Sequence, residues 1–313
     1  MKLGISTCLL GEKVRYDGQH KLDRFLRDEL GSFIEWVPLC PETECGLGIP
    51  REAMRLIGKD TENARLFTNK TFVDKTDQML DYTYQKLKDL EKENLRGFIF
   101  KSKSPTSGMR GVKIYTETGM PSHRGSGIFA REFMKRFPEI PVEDEGRLHD
   151  AGIRENFIET IYVYDRWLSF LEKDQSILGF IDFHASHKYL LMAHSPALQK
   201  DAGKIVAAVR KDSRNESYKS YQTILLNILK LKSTIKKHTN VLQHIMGYFK
   251  KQLSADEKSE LLEVIEKYHN NLIPLIVPIV LLQHYVRKYQ EPYLLKQWYL
   301  HPHPDELKLR NHV

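Results

Sequence analysis

Three short apolar runs, each breaking into a loop that carries a chemically useful side chain, constrain this chain most. Residues 3–7 run into Cys8, residues 33–39 into Cys40, and residues 97–100 into Lys101-Ser-Lys103-Ser104-Pro105. β-Branched and aromatic residues fill the runs and Gly, Pro and Ser end them, which is the signature of buried strands. Helical patterns lie between: a short one over 23–30 and a long one over 74–93, where Met79, Leu80, Tyr82, Leu87 and Leu90 share a face. Strands alternating with helices predict βαβ units and a three-layer α/β domain with a mostly parallel sheet. Ligands of such sheets bind beyond the carboxyl ends of the strands. All three loops fall at that edge, so topology alone places Cys8, Cys40 and Ser104 near one another.

Around residues 137–150 the sequence turns rich in proline and acid, and strand signals stop. We divide the chain here, into an α/β domain over 1–142 and an all-helical domain over 143–313. Helical patterns then cover 153–172, 176–195, 199–211, 216–235, 238–251, 255–269 and 272–289. Ser254 and Glu257 form a capping-box pattern at the start of one of them. The tail 301–304, His-Pro-His-Pro, reads as a docked irregular segment. The most apolar stretch, 272–282, contains two prolines and is too short to span a bilayer. The start of the chain has no signal-peptide pattern, so a cytoplasmic protein is expected, with no membrane contact and no stable protein partner.

Charge separates the two parts. Residues 1–150 carry 25 Lys and Arg against 24 Asp and Glu, and residues 151–313 carry 23 against 17. The formal net charge of +7 therefore sits almost wholly in the second part, which suits either a polyanionic partner or a solvated lysine-rich surface. Within it, Lys230, Lys232, Lys236, Lys237, Lys250 and Lys251 form a basic stretch suited to phosphate backbones. His184, His187 and His194 share a helical pattern without a completing carboxylate or cysteine, so hydrogen-bonding core histidines are expected, with His187 and Lys188 as alternative phosphate contacts.

All three cysteines fall within the first 45 residues. An odd number in a reducing compartment points to metal binding, catalysis or burial rather than a disulfide framework. Cys8 follows a strand, where backbone N–H groups of the next segment favour the thiolate. Cys40 and Cys45 are separated by four residues, a spacing found in zinc and iron–sulfur sites. Three thiolates with a fourth position open suit a 4Fe–4S cluster better than structural zinc, since no histidine pair or fourth cysteine is nearby. Glu42 stands two residues after Cys40 and is placed to move protons. The Ser104 hydroxyl and the ammonium groups of Lys101 and Lys103 offer contacts to a substrate carbonyl or phosphate. Arg15-Tyr16-Asp-Gly reads first as a turn, and Arg15 and Tyr16 as a grip for phosphate and a stacking surface for a base.

With these residues on view, the first domain resembles the thiouracil desulfidase (TudS) family. The motifs are Cys8-Leu-Leu-Gly-Glu-Lys-Val-Arg-Tyr-Asp-Gly18, Cys40-Pro-Glu42 followed by Gly-Leu-Gly-Ile-Pro-Arg51, Lys103-Ser-Pro-Thr-Ser-Gly108 and Arg124-Gly-Ser-Gly-Ile128. The fusion to a helical domain containing Phe183-His-Ala-Ser-His-Lys188 and Lys237-His-Thr-Asn240 is similar to the RudS subgroup. The resemblance implies an α/β core, a 4Fe–4S cluster on three cysteines, and conversion of 4-thiouridine in tRNA to uridine, with the helical domain helping to bind tRNA. It implies Cys8 and Cys40 as cluster ligands, Glu42 as the proton carrier and Ser104 as a catalytic hydroxyl. One departure stands out: Ser107 occupies the position of the family's third cysteine. Cys45 is the expected replacement. The alternatives are a cluster-less tRNA-binding protein and a desulfidase of free thiopyrimidines.

Overall fold

The computed structural model describes residues 1–312, apart from the side chains of Ser122 and His123. Two compact units meet between Asp150 and Ala151. In the first, strands β1 (Lys2–Ser6), β2 (Glu35–Leu39), β5 (Phe98–Phe100) and β8 (Val142–Asp144) form a sheet in the order β2-β1-β5-β8, parallel throughout. Because β8 pairs with β5, residues 143–150 belong with this unit, eight residues beyond the junction read from composition.

Burial explains why these runs are strands. Leu3 and Ile5 of β1 and Phe98, Ile99 and Phe100 of β5 are sealed from solvent, as parallel strands covered on both faces must be. Phe98, Phe100, Phe129 and Phe133 pack as an aromatic cluster with Leu39, Leu87 and Leu90. It joins the sheet to helices α2 (Thr76–Leu90) and α3 (Ile128–Arg136). The expected helix over 74–93 is thus α2 and a following turn, whereas the short pattern over 23–30 is a wide π-type turn at Phe25–Glu29.

A second sheet is not foreshadowed by the sequence reading. Strands β3 (Met54–Ile57), β4 (Arg65–Thr68), β6 (Val112–Tyr115) and β7 (Pro121–Gly125) run in the order β4-β3-β6-β7. β3 and β6 are parallel and the outer pairs antiparallel. Leu56, Leu66, Val112 and Ile114 pack beneath it with Met79 and Ile128, so α2 and α3 contribute to both cores.

The second unit is helical: α5 (Ala151–Lys173), α6 (Ile177–His194), α7 (Pro196–Ala208), α8 (Arg214–Leu229), α9 (Ile235–Met246), α10 (Ala255–His269), α11 (Ile276–Tyr289) and the short α12 (Pro292–Leu295). Side-chain caps fix several starts. Ser176, Ser195 and Thr234 each accept an amide of the first turn, and Ser254 with Glu257 forms the full capping box expected of it. Trp167 lies at the centre, fully buried, against Phe170, Phe183 and Tyr221 at 5.1–5.3 Å between rings. No described helix is long and apolar enough to cross a membrane.

Candidate active site

The carboxyl edge of the parallel sheet opens into a cleft of about 290 Å³. After β1 the chain makes a 3-10 turn, Thr7–Leu10, which ends at Gly11 with φ 100°, a conformation that favours glycine. This turn leaves Cys8 at the cleft. After β2 comes Cys40 and then one helical turn, α1 (Pro41–Glu44), which carries Glu42. After β5 the segment 101–107 folds around Ser104, whose Oγ accepts the amides of Thr106 (3.3 Å) and Ser107 (3.1 Å). The start of α3 fastens this loop: Gly127 N donates to Gly108 O, Ile128 N to Pro105 O and Ala130 N to Thr106 O. A Cβ at Gly127 would stand 2.5 Å from the Thr106 carbonyl carbon, so only glycine allows that approach.

Glu42 is the best-held side chain in the cleft. Thr106 Oγ1 donates to its Oε1 at 2.9 Å, and Arg51 donates to its Oε2 from Nε at 2.9 Å and from Nη2. Arg51 also donates to Val14 O (3.0 Å) and Gly48 O (3.3 Å). One nearly buried guanidinium therefore joins the loops after β1 and β2 around the carboxylate, a charge-assisted fork that fixes its orientation. The sequence reading quotes Arg51 inside a motif but gives it no role. The pairing becomes visible only once the two loops are side by side.

The cysteines divide. Cys8 and Cys40 both line the cleft, and Cys40 Sγ lies 3.8 Å from Val14 O. Burial, then the neighbouring Cys40, pushes the Cys8 thiol up to about 11, against the opposing charges of Lys101 and Arg15. This corrects the expectation of a thiolate-favouring loop: lost hydration outweighs the nearby positive charge. Cys45 is not in the cleft. It closes α1, its Sγ donates to Glu42 O at 3.3 Å, and its side chain packs against the core under the second sheet. Ser107 takes the place expected of it instead: it lines the cleft and is 5% exposed.

The remaining predicted contacts fall in or around the same opening. Arg15 pairs with Asp17 and lies over the Tyr16 ring at 5.3 Å, and Tyr16 is exposed. Lys101 lines the cleft but is paired with Glu145, which also accepts from the Ser102 amide and hydroxyl. Its charge is therefore largely matched. Lys103, at φ 60°, is exposed at the rim with no carboxylate partner among the described residues, and Lys21, which the sequence reading does not single out, joins it there.

Residues 3–145 match the family model described as 2-thiouracil desulfurase. Over these residues the first unit is similar to that desulfurase family. A solved [4Fe-4S]-dependent thiouracil desulfidase, TudS, is 28% identical over 48% of this chain and 93% of its own, with a TM-score of 0.39. Residues 188–304 match the model described as a protein of unknown function, DUF1722. The uncharacterized protein YbgA of Escherichia coli (strain K12) is 28% identical over 132 residues, 42% of this chain and 78% of that one.

What the desulfurase-like domain can hold follows from its donors. Among the described residues no three His, Cys, Asp or Glu side chains gather as metal ligands. Cys8 and Cys40 line the cleft together with the hydroxyl residues Ser104, Thr106 and Ser107. The Ser107 amide donates to Ser104 Oγ at 3.1 Å. Two thiols at the cleft are one short of the three thiolates that leave one iron of a 4Fe–4S cluster open.

In the helical unit the predicted contacts separate by exposure. Lys236 is exposed. Lys237 Nζ instead donates to His194 O (2.6 Å) and Lys232 O (3.2 Å), which ties the end of α6 to the start of α9. Lys188 is half-buried over the Tyr189 ring at 5.7 Å. His187 is 1% exposed, bonded to Phe183 O and stacked between Phe183 and Trp298, so it is a core group rather than a phosphate contact. His194 does meet a carboxylate, that of Glu159 at 2.7 Å, which sequence spacing does not reveal.

Proposed function

We propose that this chain replaces the sulfur of a thiolated pyrimidine by oxygen, and that its substrate is 4-thiouridine within tRNA. The net change is hydrolysis: a C=S bond and water become a C=O bond and hydrogen sulfide, with no electrons exchanged. The observation that carries the proposal is the clamped Glu42 in a cleft it shares with Cys8, Cys40 and Ser104.

Cys8 and Cys40 are the thiols that would hold a 4Fe–4S cluster, which would supply a thiophilic Lewis acid. The chain's own side chains do the rest. Arg51 and Thr106 hold both oxygens of Glu42, so the carboxylate meets an incoming water in one orientation and takes its proton. Ser104, 3.0 Å from Thr106 Oγ1, offers a hydroxyl to the carbonyl oxygen that forms. The exposed Tyr16 ring gives the pyrimidine a stacking face at the mouth, and Lys103 and Arg15 neutralise the adjoining phosphates. A base in a helix must leave its stack to reach such a cleft.

An RNA substrate is supported by the second unit. Lys230, Lys232, Lys236, Lys250 and Lys251 are exposed, and none has a carboxylate partner among the described residues. Unmatched surface cations of this kind give salt-dependent attachment to a phosphate backbone.

The test is to incubate the anaerobically reconstituted protein with 4-thiouridine-containing tRNA, assay sulfide and quantify nucleosides by mass spectrometry. Loss of 4-thiouridine matched by uridine and sulfide is expected. Turnover of free 2-thiouracil with tRNA untouched would replace the substrate by a free base. Binding of tRNA with no sulfide released from either substrate would leave a cluster-less RNA-binding protein, the reading that Ser107 by itself favours.

A further inference from the structure

We infer that the Thr106 hydroxyl is a proton relay between Ser104 and Glu42, carrying the second proton of the incoming water from the one to the other. The inference rests on the desulfidation reading above and adds to it how these two cleft groups are joined.

Thr106 is a positioning residue rather than a contact for substrate. Its side chain is sealed from solvent in the wall of the cleft, between two residues that open on it. The start of α3 fixes its backbone, with Ala130 N donating to Thr106 O at 3.2 Å. Thr106 Oγ1 donates to Glu42 Oε1 at 2.9 Å and lies 3.0 Å from Ser104 Oγ.

Counting hydrogens fixes the direction of this chain. A hydroxyl has one hydrogen to give, and a carboxylate has none. Glu42 is ion-paired with Arg51, so Thr106 gives its hydrogen to the carboxylate. The bond between the two hydroxyls then takes its hydrogen from Ser104. Ser104 Oγ also accepts the amides of Thr106 at 3.3 Å and Ser107 at 3.1 Å, as suits an oxygen whose own hydrogen points elsewhere. Each hydroxyl hydrogen therefore points from the cleft toward Glu42. Arg51 donates twice to Oε2, which leaves Oε1 as the end of the line.

Water adds to the thiocarbonyl carbon and gives its first proton to Glu42, which passes it to the departing sulfur. The added hydroxyl still holds the second. As the C–S bond breaks, its electron pair leaves with sulfur, and the O–H pair of the added hydroxyl becomes the second C–O bond. The proton so released moves to Ser104 Oγ, the Ser104 proton to Thr106 and the Thr106 proton to Glu42. Three O–H bonds break and three form, nothing is oxidised or reduced, and Ser104 is left donating to the new carbonyl oxygen. Glu42 then releases its proton to the sulfur, which departs as hydrogen sulfide.

The experiment uses the full chain as wild type, Thr106→Val, Thr106→Ser, Ser104→Ala and the double variant of Ser104→Ala with Thr106→Val. Circular dichroism checks folding, and Thr106→Ala replaces Thr106→Val if the latter does not fold. Each is reconstituted anaerobically and assayed for sulfide release from 4-thiouridine-containing tRNA and from free 2-thiouracil. Thr106→Val should lower kcat by about 10²-fold with KM unchanged, and Thr106→Ser should restore most of it. The double variant should be no slower than the slower single one, because both cut the same relay. Infrared difference spectra of the unreconstituted chain, with Glu42→Gln marking the Glu42 carboxylate band, should show that band shifted in Thr106→Val and in place in Thr106→Ser. A kcat near the wild-type value in Thr106→Val, or a loss carried by KM, overturns the relay and leaves desulfidation standing. Losses that multiply in the double variant, or an unmoved band, overturn it as well, since Thr106 then acts through packing alone. A wild type that releases no sulfide from either substrate overturns desulfidation and the relay with it.

Discussion

The chain buries two polar clusters, one in each unit, and they are built in opposite ways. In the helical unit Glu159 is 4% exposed, and both its oxygens are taken: Oε1 by His194 Nε2 at 2.7 Å and Oε2 by Arg310 Nη2 at 3.1 Å. His194 Nδ1 faces Leu231 O at 2.7 Å, Arg310 Nη1 donates to Tyr299 O at 2.6 Å, and Arg310 Nε lies 3.6 Å from Glu155. Burial pushes the Glu159 carboxyl up, but His194 and Arg310 overcome it and hold the group well below the usual carboxylate range. In the desulfurase-like cleft, by contrast, the ion pair of Glu42 and Arg51 stands at the wall of an open space that Cys8 and Cys40 also line. A buried polar group with its partners in place braces a fold. One set at the wall of a cleft is placed to act on a ligand.

The contrast is broken or sharpened most strongly at Glu159. Glu159→Ala takes away the carboxylate that buried Arg310 and His194 share and is expected to cost about 3–5 kcal/mol. Denaturant unfolding measures this, and hydrogen exchange by peptide should show the loss in residues 151–312 and not in the first unit. A cost below about 1 kcal/mol would mean that the cluster braces nothing. Glu42→Gln tests the other side. It keeps the volume and removes the proton acceptor, so desulfidation should fall by about 10²–10⁴-fold, while the lost ion pair with Arg51 should cost about 1–3 kcal/mol, less than Glu159→Ala. Equal damage to stability would make Glu42 a structural group like Glu159.

Acid separates the units further. Burial holds His184 and His303 down to about 4 and His238 to about 3, all in the helical unit. Their ordinary value is 6.5, so below it the unfolded chain binds protons that the folded one refuses. Stability thus falls as pH drops, by about 1.4 kcal/mol per pH unit for each histidine, until the folded value is reached. Below the ordinary carboxylate range the stabilisation carried by depressed Glu159 is lost as well. Hydrogen exchange at pH 7 and pH 5 should show the helical unit loosening and the first unit holding. Equal loosening of both would refute the assignment.

How much of this was legible in the sequence follows from how local each signal is. β1, β2 and β5 are continuous apolar runs ending in Gly, Pro or Ser, and their order along the chain brings Cys8, Cys40 and Ser104 to one edge. The second sheet escapes notice because its strands are four or five residues long, with charges among them, as in Met54-Arg-Leu-Ile57 and Val112-Lys-Ile-Tyr115. What makes them strands is pairing across the chain, not periodicity. The choice between Cys45 and Ser107 depends on which way the end of α1 faces, and spacing does not encode that. Arg51 reaching Val14, and Glu159 reaching Arg310 across 151 positions, are contacts that only the folded chain makes.

Lys236 and Lys237 give the finest form of the comparison, since adjacent lysines fall on opposite sides of it. Lys236 is exposed, with no partner among the described residues. Lys237 is half-buried and spends its ammonium on two backbone carbonyls, those of His194 and Lys232. If free cations bind RNA and matched cations brace the fold, their alanine variants part ways. Lys236→Ala should weaken tRNA binding several-fold and lower the slope of log affinity against log salt by about 0.7, with no change in unfolding. Lys237→Ala should leave the slope intact and cost about 1–3 kcal/mol of stability, because the end of α6 loses a charge-assisted donor. Binding measured across a salt series, beside unfolding curves on the same samples, distinguishes them. The same fall in slope for both would place Lys237 on the RNA despite its carbonyl contacts, and would make partner count a poor guide to function in this unit.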